Sequence, residues 1–404
     1  MVTSGRLIVA VALLIGLGAP AARAADEGGQ LDLIGHASDG VYLDFAPFGK
    51  VELPRIFLIQ DGDGNWDVRA YASTASALAS GQYDIVTRED VHLPSDDVAG
   101  IEELIASHEH VYAELVPADG GRIVVDFSIT RHLVFGLLAA VLCVIIFVSL
   151  ARRYARGIGR DSAPRGIFQN LFEALIVFVR DDIARPNLGD KYARFLPYLL
   201  TAFFFILFCN LIGLVPFGAA ATANIAVTGV LAMFTFFVTQ FSGSRDYWAH
   251  VFWPPGVPVP IKFILIPVEV LGLFTKPFAL AVRLFANMSA GYLVILSLIG
   301  LIFIFTALFG SVVGVLVSPV SVALAVFIYL LKVLVAFIQA YVFTALSALF
   351  IGMAVEEHHA HEGHTPEWHE TLDHDAAAAP SLPLSGDGAS IAGSSKPAEP
   401  AMAG

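Results

Sequence analysis

Long apolar blocks separated by short polar segments occupy the chain beyond residue 131. They lie near 132–150, 195–217, 223–241, 261–305 and 309–353. Each block reaches the roughly 20 residues that an α-helix needs to cross the ~30 Å hydrocarbon core of a bilayer. The pattern therefore predicts an all-α polytopic membrane protein with about five membrane-crossing helices.

The last two blocks are about twice as long as one crossing requires. Each is either a hairpin of two helices or one long, steeply tilted helix, and hydropathy does not separate these alternatives. A shorter stretch, 168–179, is amphipathic. We expect this helix to lie on the inner membrane surface.

The chain before the first block has a different pattern. Arg6, the apolar run 7–17 and Ala22-Arg23-Ala24 are typical of a cleavable signal peptide over residues 1–24. The alternative is an uncleaved first span. Residues 25–131 carry 20 Asp and Glu against 6 Lys and Arg, which is typical of a solvated surface. We expect a small, acidic α+β extracytoplasmic domain there.

A β-hairpin is predicted inside this domain, because extended runs at 51–60 and 66–72 flank a turn-forming sequence. Asp61, Asp63 and Asn65 match the beginning of a calcium-binding EF-hand loop. However, Trp66 stands at the sixth position, which requires Gly, and Ala72 at the twelfth, which requires Glu. A turn is therefore the better interpretation.

Positive charges follow the first apolar block directly, and the loops 218–222 and 306–318 carry no charge. The positive-inside rule therefore places residues 151–194 in the cytoplasm. With five crossings, the N-terminus is expected outside and the C-terminus inside. The membrane domain is predicted over residues 132–355.

Residues 356–404 are polar and contain six of the twelve histidines. Metal binding is one interpretation of this composition, but the segment lacks both an HExxH motif and a paired Cys/His zinc spacing. A disordered cytoplasmic tail is favoured on composition. Only two cysteines occur, Cys143 and Cys209, and both lie in predicted spans, so no disulfide framework is expected.

Arg283 is the most informative single residue, because it lies inside the fourth apolar block. A guanidinium at membrane depth costs roughly 2.5–3.5 kcal/mol on the insertion scale, and it cannot lose its proton to avoid that cost. The nearest carboxylate in the same block, Glu269, is fourteen residues away. Arg283 therefore requires water or an anionic partner from another segment or another subunit.

Further polar residues accompany Arg283 in the last two blocks. The fourth block also contains Glu269, Lys276, Asn287, Ser289 and Tyr292, and the fifth contains Lys332 and Gln339. Arg283 and Asn287 are four residues apart and share a helix face, as do Lys332 and Gln339 at a spacing of seven. Two facing polar stripes predict a hydrated path. Gln339 could instead hold helices together by a hydrogen bond, and Glu269 and Lys276 could be merely interfacial.

The sequence around Arg283 reads Ala279-Leu-Ala-Val-Arg283-Leu-Phe-Ala-Asn287-Met. Three more motifs accompany it: Phe208-Cys-Asn210-Leu-Ile-Gly-Leu-Val-Pro216, Pro267-Val-Glu269 and Val335-Ala-Phe-Ile-Gln339-Ala-Tyr-Val-Phe. Together these four ordered motifs resemble subunit a of bacterial F-type rotary ATP synthases, over about residues 130–356. The segment 25–131 and the His-rich tail lie outside the resemblance.

The resemblance implies a mechanism and a set of partners. Arg283 would face the carboxylates of a c-subunit ring one at a time, favouring their ionised form and blocking leakage between two offset half-channels. Glu269 and Asn287 would serve the cytoplasmic half-channel, and Gln339 would support Arg283. The other partners would be b-type peripheral stalk subunits, the remainder of the ATP synthase complex and the lipid bilayer, in a bacterial inner membrane. Neither a cofactor, a metal nor nucleic acid is expected.

Two positions depart from the family pattern. Tyr292 stands where the family often has His or Glu, and Lys332 stands where it often has the complementary Glu or His. Tyr292, Lys332 and Ser289 are therefore candidates for the outer half-channel, with its relay in doubt. A neutral Lys332 could relay protons, because burial favours the neutral amine, whereas a charged one would repel cations. Alternatively, Lys332 extends toward the outer interface and leaves the relay to water.

Two other classes of function compete with this interpretation. A secondary transporter could use Arg283 to bind an anionic solute, but inverted repeats and paired broken helices are not evident. A membrane anchor for the outer domain leaves Arg283 unexplained. The chain has no P-loop, so we expect it to be a non-catalytic subunit that binds no nucleotide in that way. The sequence does not separate H⁺ from Na⁺.

Overall fold

The computed structural model describes residues 39–45, 49–62, 64–86, 92–106, 111, 114–157, 166–215 and 218–356. The predicted signal peptide, 1–24, lies outside the described residues, and so does all of the predicted tail except Glu356. Both therefore stay predictions.

The part of the chain before residue 131 is built from three small antiparallel sheets. One pairs β1 (Tyr42–Asp44) with β2 (Lys50–Glu52); in the other two, β3 (Arg55–Gln60) lies between β4 (Trp66–Tyr71) and β8 (Arg122–Asp126), and β5 (Tyr83–Val86) lies between β6 (His92–Leu93) and β7 (Glu114–Pro117). Two helices accompany them, α1 (Thr74–Leu78) and α2 (Val98–Ala106). This strand-containing region has the predicted α+β character.

The predicted β-hairpin is present as β3 and β4, with Gln60 opposite Trp66 across the turn. Alternate residues of β3 point inward, and Phe57 and Ile59 are fully buried against Tyr83 and Ile85. The extended run predicted over 51–60 contains two strands, since residues 50–52 pair with β1 and residues 55–60 with β4. Pro54 separates the two strands because it has no N–H to donate to a ladder.

Eight helices follow in the described part of the chain. They are α3 (Arg131–Ala155), α4 (Ile167–Phe178), α5 (Arg185–Leu188), α6 (Tyr192–Ile212), α7 (Ile225–Ser242), α8 (Arg245–Phe252), α9 (Val259–Phe309) and α10 (Ser311–Val355). A π-helical turn (Val179–Ala184) joins α4 to α5, and single 3₁₀ turns precede α6 and α7. By length and composition, five helical stretches in this part are able to cross a membrane. The prediction of a polytopic helical membrane protein is confirmed.

The predicted amphipathic helix is α4, and it crosses α6 at an angle. Its Phe172 ring contacts Phe204 and Phe208, while Phe178, six residues later, contacts Phe203 at nearly the same level of α6. The helix also continues through the π-helical turn toward α6, so that Ile167–Ile212 forms one helical stretch. Its expected position on the inner membrane surface stays a prediction.

The two longest blocks are single helices. Helix α9 has 51 residues and contains Pro267 and Pro277, whereas α10 has 45 residues and contains Pro319. Gly310 joins them with φ 87°, a backbone conformation that favours glycine. At 1.5 Å per residue, α9 is about 76 Å long, so crossing a ~30 Å core requires a steep tilt or a protruding end. The alternative of two hairpins is therefore wrong.

Close approach of α10 to the rest of the bundle depends on small residues. Ala336, Ala340 and Ala348 on α10 are fully buried, as are Phe203 and Phe204 on α6. Small side chains let helix backbones approach closely, which is a main source of helix association in a membrane. The core of the membrane region therefore lies between α6 and α10.

We expect Gly352→Ala to weaken this packing. A Cβ at Gly352 would clash with the backbone carbonyl of Asn187 beside α10, and overpacking of this kind costs about 1–3 kcal/mol. The measurement is the melting temperature of the purified protein in detergent. Gly229→Ala is the matched control, because a Cβ there meets no atom within 4 Å; equal melting temperatures for the two variants would contradict the prediction.

Candidate functional site

Arg283 lies near the middle of α9 with its side chain exposed on the outside of the bundle. Its neighbours Leu280, Ala281 and Leu284 are buried against the core. Among the described residues, no carboxylate lies within ion-pair distance of Arg283. Helix α9 thus turns its apolar face inward and presents the guanidinium away from its own chain.

Two contacts fix the register of α9 against α10, which run antiparallel. An added Cβ at Gly291 would lie 3.0 Å from Cε of Lys332. Nζ of Lys276 lies 5.7 Å from the centre of the Phe350 ring. These contacts lie on opposite sides of Arg283 along the chain.

Midway between the two contacts, α9 presents Arg283 and α10 presents Tyr341. Gln339 is therefore within one helical turn of the level of Arg283. Gln339 is only 8% exposed. The structure thus brings Arg283 and Gln339 to one level, with Arg283 on the surface and Gln339 buried behind it.

Asn287 and Glu269, both expected to serve one half-channel, are not brought together. Asn287 is exposed one turn beyond Arg283, on the side of Gly310. Glu269 lies fourteen residues from Arg283 in the other direction, about 21 Å along the helix. Asn287 therefore lies on the same surface as Arg283, whereas Glu269 lies toward the opposite end of α9.

Lys332 and Tyr292 do meet, at a cavity on the strand-bearing side of the membrane helices. Nζ of Lys332 lies 5.8 Å from the centre of the Tyr292 ring. The volume of this cavity is about 40 Å³, whereas one water molecule requires roughly 10–15 Å³. We call this space the strand-side cavity; it is lined by Arg131, His132, Gly213, Gly218, Ala219, Ala220, Ala223, Met288, Tyr292 and Lys332.

Ser289, the third candidate for the outer half-channel, forms a hydrogen bond with a residue that lines this cavity. Its hydroxyl donates to the backbone carbonyl of Ala223, at 3.3 Å. Asn210 supports the same wall from α6, since its amide donates to the carbonyl of Ala336 at 3.3 Å and its carbonyl accepts from Thr222. Asn210 is 1% exposed, so this motif residue fixes helix positions by buried hydrogen bonds.

A second cavity lies on the other side of Arg283 along α9, near Glu269. Tyr247 on α8 donates to Gln240 at 3.4 Å. Burial raises the pKa of the Tyr247 hydroxyl, and the negative charge of Glu269 raises it further, against the hydrogen bond to Gln240. This space, the far-side cavity, measures about 20 Å³ and is lined by Thr235, Phe236, Thr239, Gln240, Tyr247, Leu273, Lys276, Pro277, Phe350 and Met353.

Sequence reasoning missed three residues at the strand-side cavity. His132 and Arg131 line the cavity, and Asp39 lies 2.6 Å from Nδ1 of His132. An ionisable residue at the start of a span was the only available signal for His132. Asp39 gave none, because 93 residues separate it from His132.

No group of three His, Cys, Asp or Glu side chains within the described ranges converges as a metal site would.

Comparison with known proteins identifies relatives of this chain. The family model described as ATP synthase A chain matches residues 133–352. ATP synthase subunit a of Chloroherpeton thalassium is 52% identical over 250 residues, which are 60% of this chain and 70% of that protein. ATP synthase subunit a 2 of Chlorobaculum tepidum is 46% identical over 283 residues, 69% and 71% of the two chains. The matched residues include all of the membrane helices from α4 to α9.

We expect the two cavities to be accessible from opposite sides of the membrane. A cysteine at Tyr292 should react with a small, membrane-impermeant thiol reagent added on the strand-bearing side, and a cysteine at Glu269 with reagent added on the other side. The reason is that polar side chains at membrane depth face water-filled space. The measurement is labelling yield in sealed vesicles of known sidedness. A cysteine at the buried Leu284 is the control, and labelling of Tyr292→Cys and Glu269→Cys from the same side would contradict this arrangement.

Proposed function

Because this chain belongs to the ATP synthase A chain family, as a bacterial F-type subunit a, we propose that it carries the ion path of the membrane sector, with Arg283 as the residue that faces the moving carboxylates. ATP synthesis and ion transport across the membrane are the processes in which the family takes part.

The observation that carries the proposal is an exposed guanidinium at membrane depth without a carboxylate of its own chain. Placing it there costs roughly 2.5–3.5 kcal/mol. One carboxylate about 4 Å away returns about 4 kcal/mol at an effective dielectric constant of 20. A ring of c subunits that each carry one membrane carboxylate would supply that anion repeatedly. Arg283 would hold each passing carboxylate in its ionised form.

The covering of α9 supports an interface with another subunit. Only 6% of the most apolar stretch of α9 is buried within the chain, against 56% for Ile167–Ile212. Ala279, Ala286 and Ala290 are exposed on the same side as Arg283. Small residues around an arginine let a partner helix approach it closely.

The two cavities support separate half-channels. The strand-side cavity reaches α9 at Met288 and Tyr292, and the far-side cavity reaches it at Lys276 and Pro277. The α9 residues between them that face the core, Leu280, Ala281 and Leu284, are buried and apolar. An apolar segment blocks a continuous water path. An ion would therefore leave one cavity for the ring carboxylate and reach the other only after the ring has turned.

Orientation and partners complete the proposal. Positive charge in residues 151–194 supports a cytoplasmic position for that segment, in which case the strand-bearing side would be outside and the strand-side cavity would be the outer half-channel. The c-ring and b-type peripheral stalk subunits are the proposed partners. Nucleotide chemistry would belong to other subunits of the complex. The domain limits 1–24, 25–131, 132–355 and 356–404 are retained as part of this proposal.

Arg283→Ala should abolish ATP-driven proton pumping in inverted membrane vesicles. Arg283→Lys should fail as well, because a lysine can lose its proton and hydrates differently. Assembly should persist, since removal of an exposed charge at membrane depth leaves no buried group without a partner. Fluorescence quenching of a pH-sensitive dye measures pumping, and copurification of the complex measures assembly.

Arg245→Ala is the matched control, because Arg245 is an exposed arginine on α8 that lines neither cavity. It should pump like the wild type. An Arg283→Ala variant that assembles and pumps at a near wild-type rate would refute the proposed function.

A further inference from the structure

Asp39 links its own segment to the start of α3 and to Asn224 before α7, at the mouth of the strand-side cavity. Its carboxylate lies 2.6 Å from Nδ1 of His132, and it accepts from the backbone N–H of His132 at 3.2 Å and from Nδ2 of Asn224 at 2.9 Å. Burial raises the pKa of Asp39, but the hydrogen bond and charge of His132 outweigh burial and leave that pKa below its usual value. Asp39 is thus an ionised group that fixes the orientation of the His132 ring.

His132 is a buried histidine that borders water-sized space. It is 4% exposed, and it lines the strand-side cavity together with Lys332 and Tyr292. Nδ1 faces Asp39, so Nε2 is the ring nitrogen left to exchange protons. A histidine is the side chain whose ordinary titration spans pH 5–8.

The buried amine of Lys332 requires either hydrating water in the cavity or the loss of its proton. It is 9% exposed, and its ammonium lies over the Tyr292 ring with no carboxylate within ion-pair distance among the described residues. A buried charge without a counter-ion is unfavourable unless it is hydrated or neutralised. The cavity has room for about three waters by volume.

We propose that His132, oriented by Asp39, is the proton-transfer group at the mouth of the outer half-channel. The neutral imidazole accepts a proton at Nε2 from hydronium at the mouth and becomes imidazolium. It then gives that proton to a water in the cavity, from which the proton reaches Lys332 or its hydrating waters and finally the ring carboxylate. Nδ1 stays beside the Asp39 carboxylate, 2.6 Å away, throughout, and no electrons are transferred. This inference rests on the proposed function and adds a residue from outside the four sequence motifs.

The competing interpretation is structural: the Asp39–His132 pair would only hold the strand-bearing region against α3 and α7. The charged or titratable groups beside His132 are Asp39 before β1, Arg131 at the start of α3, Tyr292 on α9 and Lys332 on α10. Asn224, the residue before α7, also contacts Asp39 but does not titrate. A role in proton transfer predicts a dependence on the pH of the outer side, whereas a structural role does not.

The experiment measures ATP synthesis in inverted vesicles driven by a potassium diffusion potential, with the complete complex and a varied lumenal pH. The lumen faces the strand-bearing side. The ratio of variant to wild-type rate is taken at each pH, so that the driving force cancels. For His132→Gln we expect a variant-to-wild-type rate ratio of about one-tenth or lower. General acid–base catalysis typically contributes a factor of about 10²–10⁴ in rate, and the loss is expected to be smaller than this full factor because water can substitute in part for the imidazole. This ratio should change across pH 5–8.

Asp39→Asn is the second variant, which decides the matter if His132→Gln fails to assemble. Asp39→Asn removes the negative charge that lies 2.6 Å from Nδ1 of His132, and a nearby negative charge favours the charged form of an imidazole over the neutral form. The ratio for Asp39→Asn should therefore fall more at high lumenal pH than at low lumenal pH. His250→Gln is the matched control, since His250 is exposed on α8; its ratio should stay near one.

Ratios near one for an assembled His132→Gln, or ratios that are lowered equally at every pH for both variants, would overturn the inference in favour of the structural role. Pumping by Arg283→Ala is the separate result that refutes the proposed function. If Arg283→Ala fails to pump while His132→Gln behaves like the wild type, only the inference about His132 is lost.

Discussion

The arrangement of the membrane helices depends on one electrostatic constraint: a permanent positive charge at membrane depth without a counter-charge in its own chain. Arg283 cannot become neutral, and the described residues offer it no carboxylate. The rest of α9 fits this constraint, because its inward face is apolar and its outward face is left uncovered. Such a helix needs water or an anion from outside the described residues beside the guanidinium. The open face of α9 is the surface at which the proposed function expects the c-ring carboxylates.

In the hairpin of α9 and α10, Arg283 lies between two cavities. The register of this hairpin is fixed by Lys332 against Gly291 and Lys276 against Phe350, and one cavity lies on each side of the arginine. Behind the arginine, α10 packs closely on α6, and the buried Asn210 of α6 donates a hydrogen bond to Ala336 of α10 and accepts one from Thr222. Under the proposed function, the buried apolar residues of α9 between the cavities would separate two half-channels.

Much of the fold was predictable, because helix length and hydropathy respond to one dominant constraint, the thickness of the bilayer. The five spans and the hairpin of β3 and β4 follow from local pattern alone. The single long helices did not, since Pro267, Pro277 and Pro319 predict breaks at positions where the helices in fact continue. Helices in a membrane tolerate proline because neighbouring groups satisfy the freed backbone atoms. Arg283 was identifiable from its cost. His132 and Asp39 were not, because their meaning arises only where distant segments meet. Ser289 likewise has a backbone partner, Ala223, that no helical spacing indicates.

The most direct test of the central claim is whether the open face of α9 touches the ring carboxylates. A cysteine at Ala286, exposed one turn from Arg283, should form a disulfide with a cysteine placed beside the membrane carboxylate of the c subunit. A cysteine at Ala281, which is 6% exposed on the opposite face, should not. The measurement is the yield of the a–c disulfide in oxidised membranes. A high yield for Ala286→Cys alone is expected, whereas equal yields at both positions, or a disulfide at Ala281→Cys only, would contradict an interface on the arginine face.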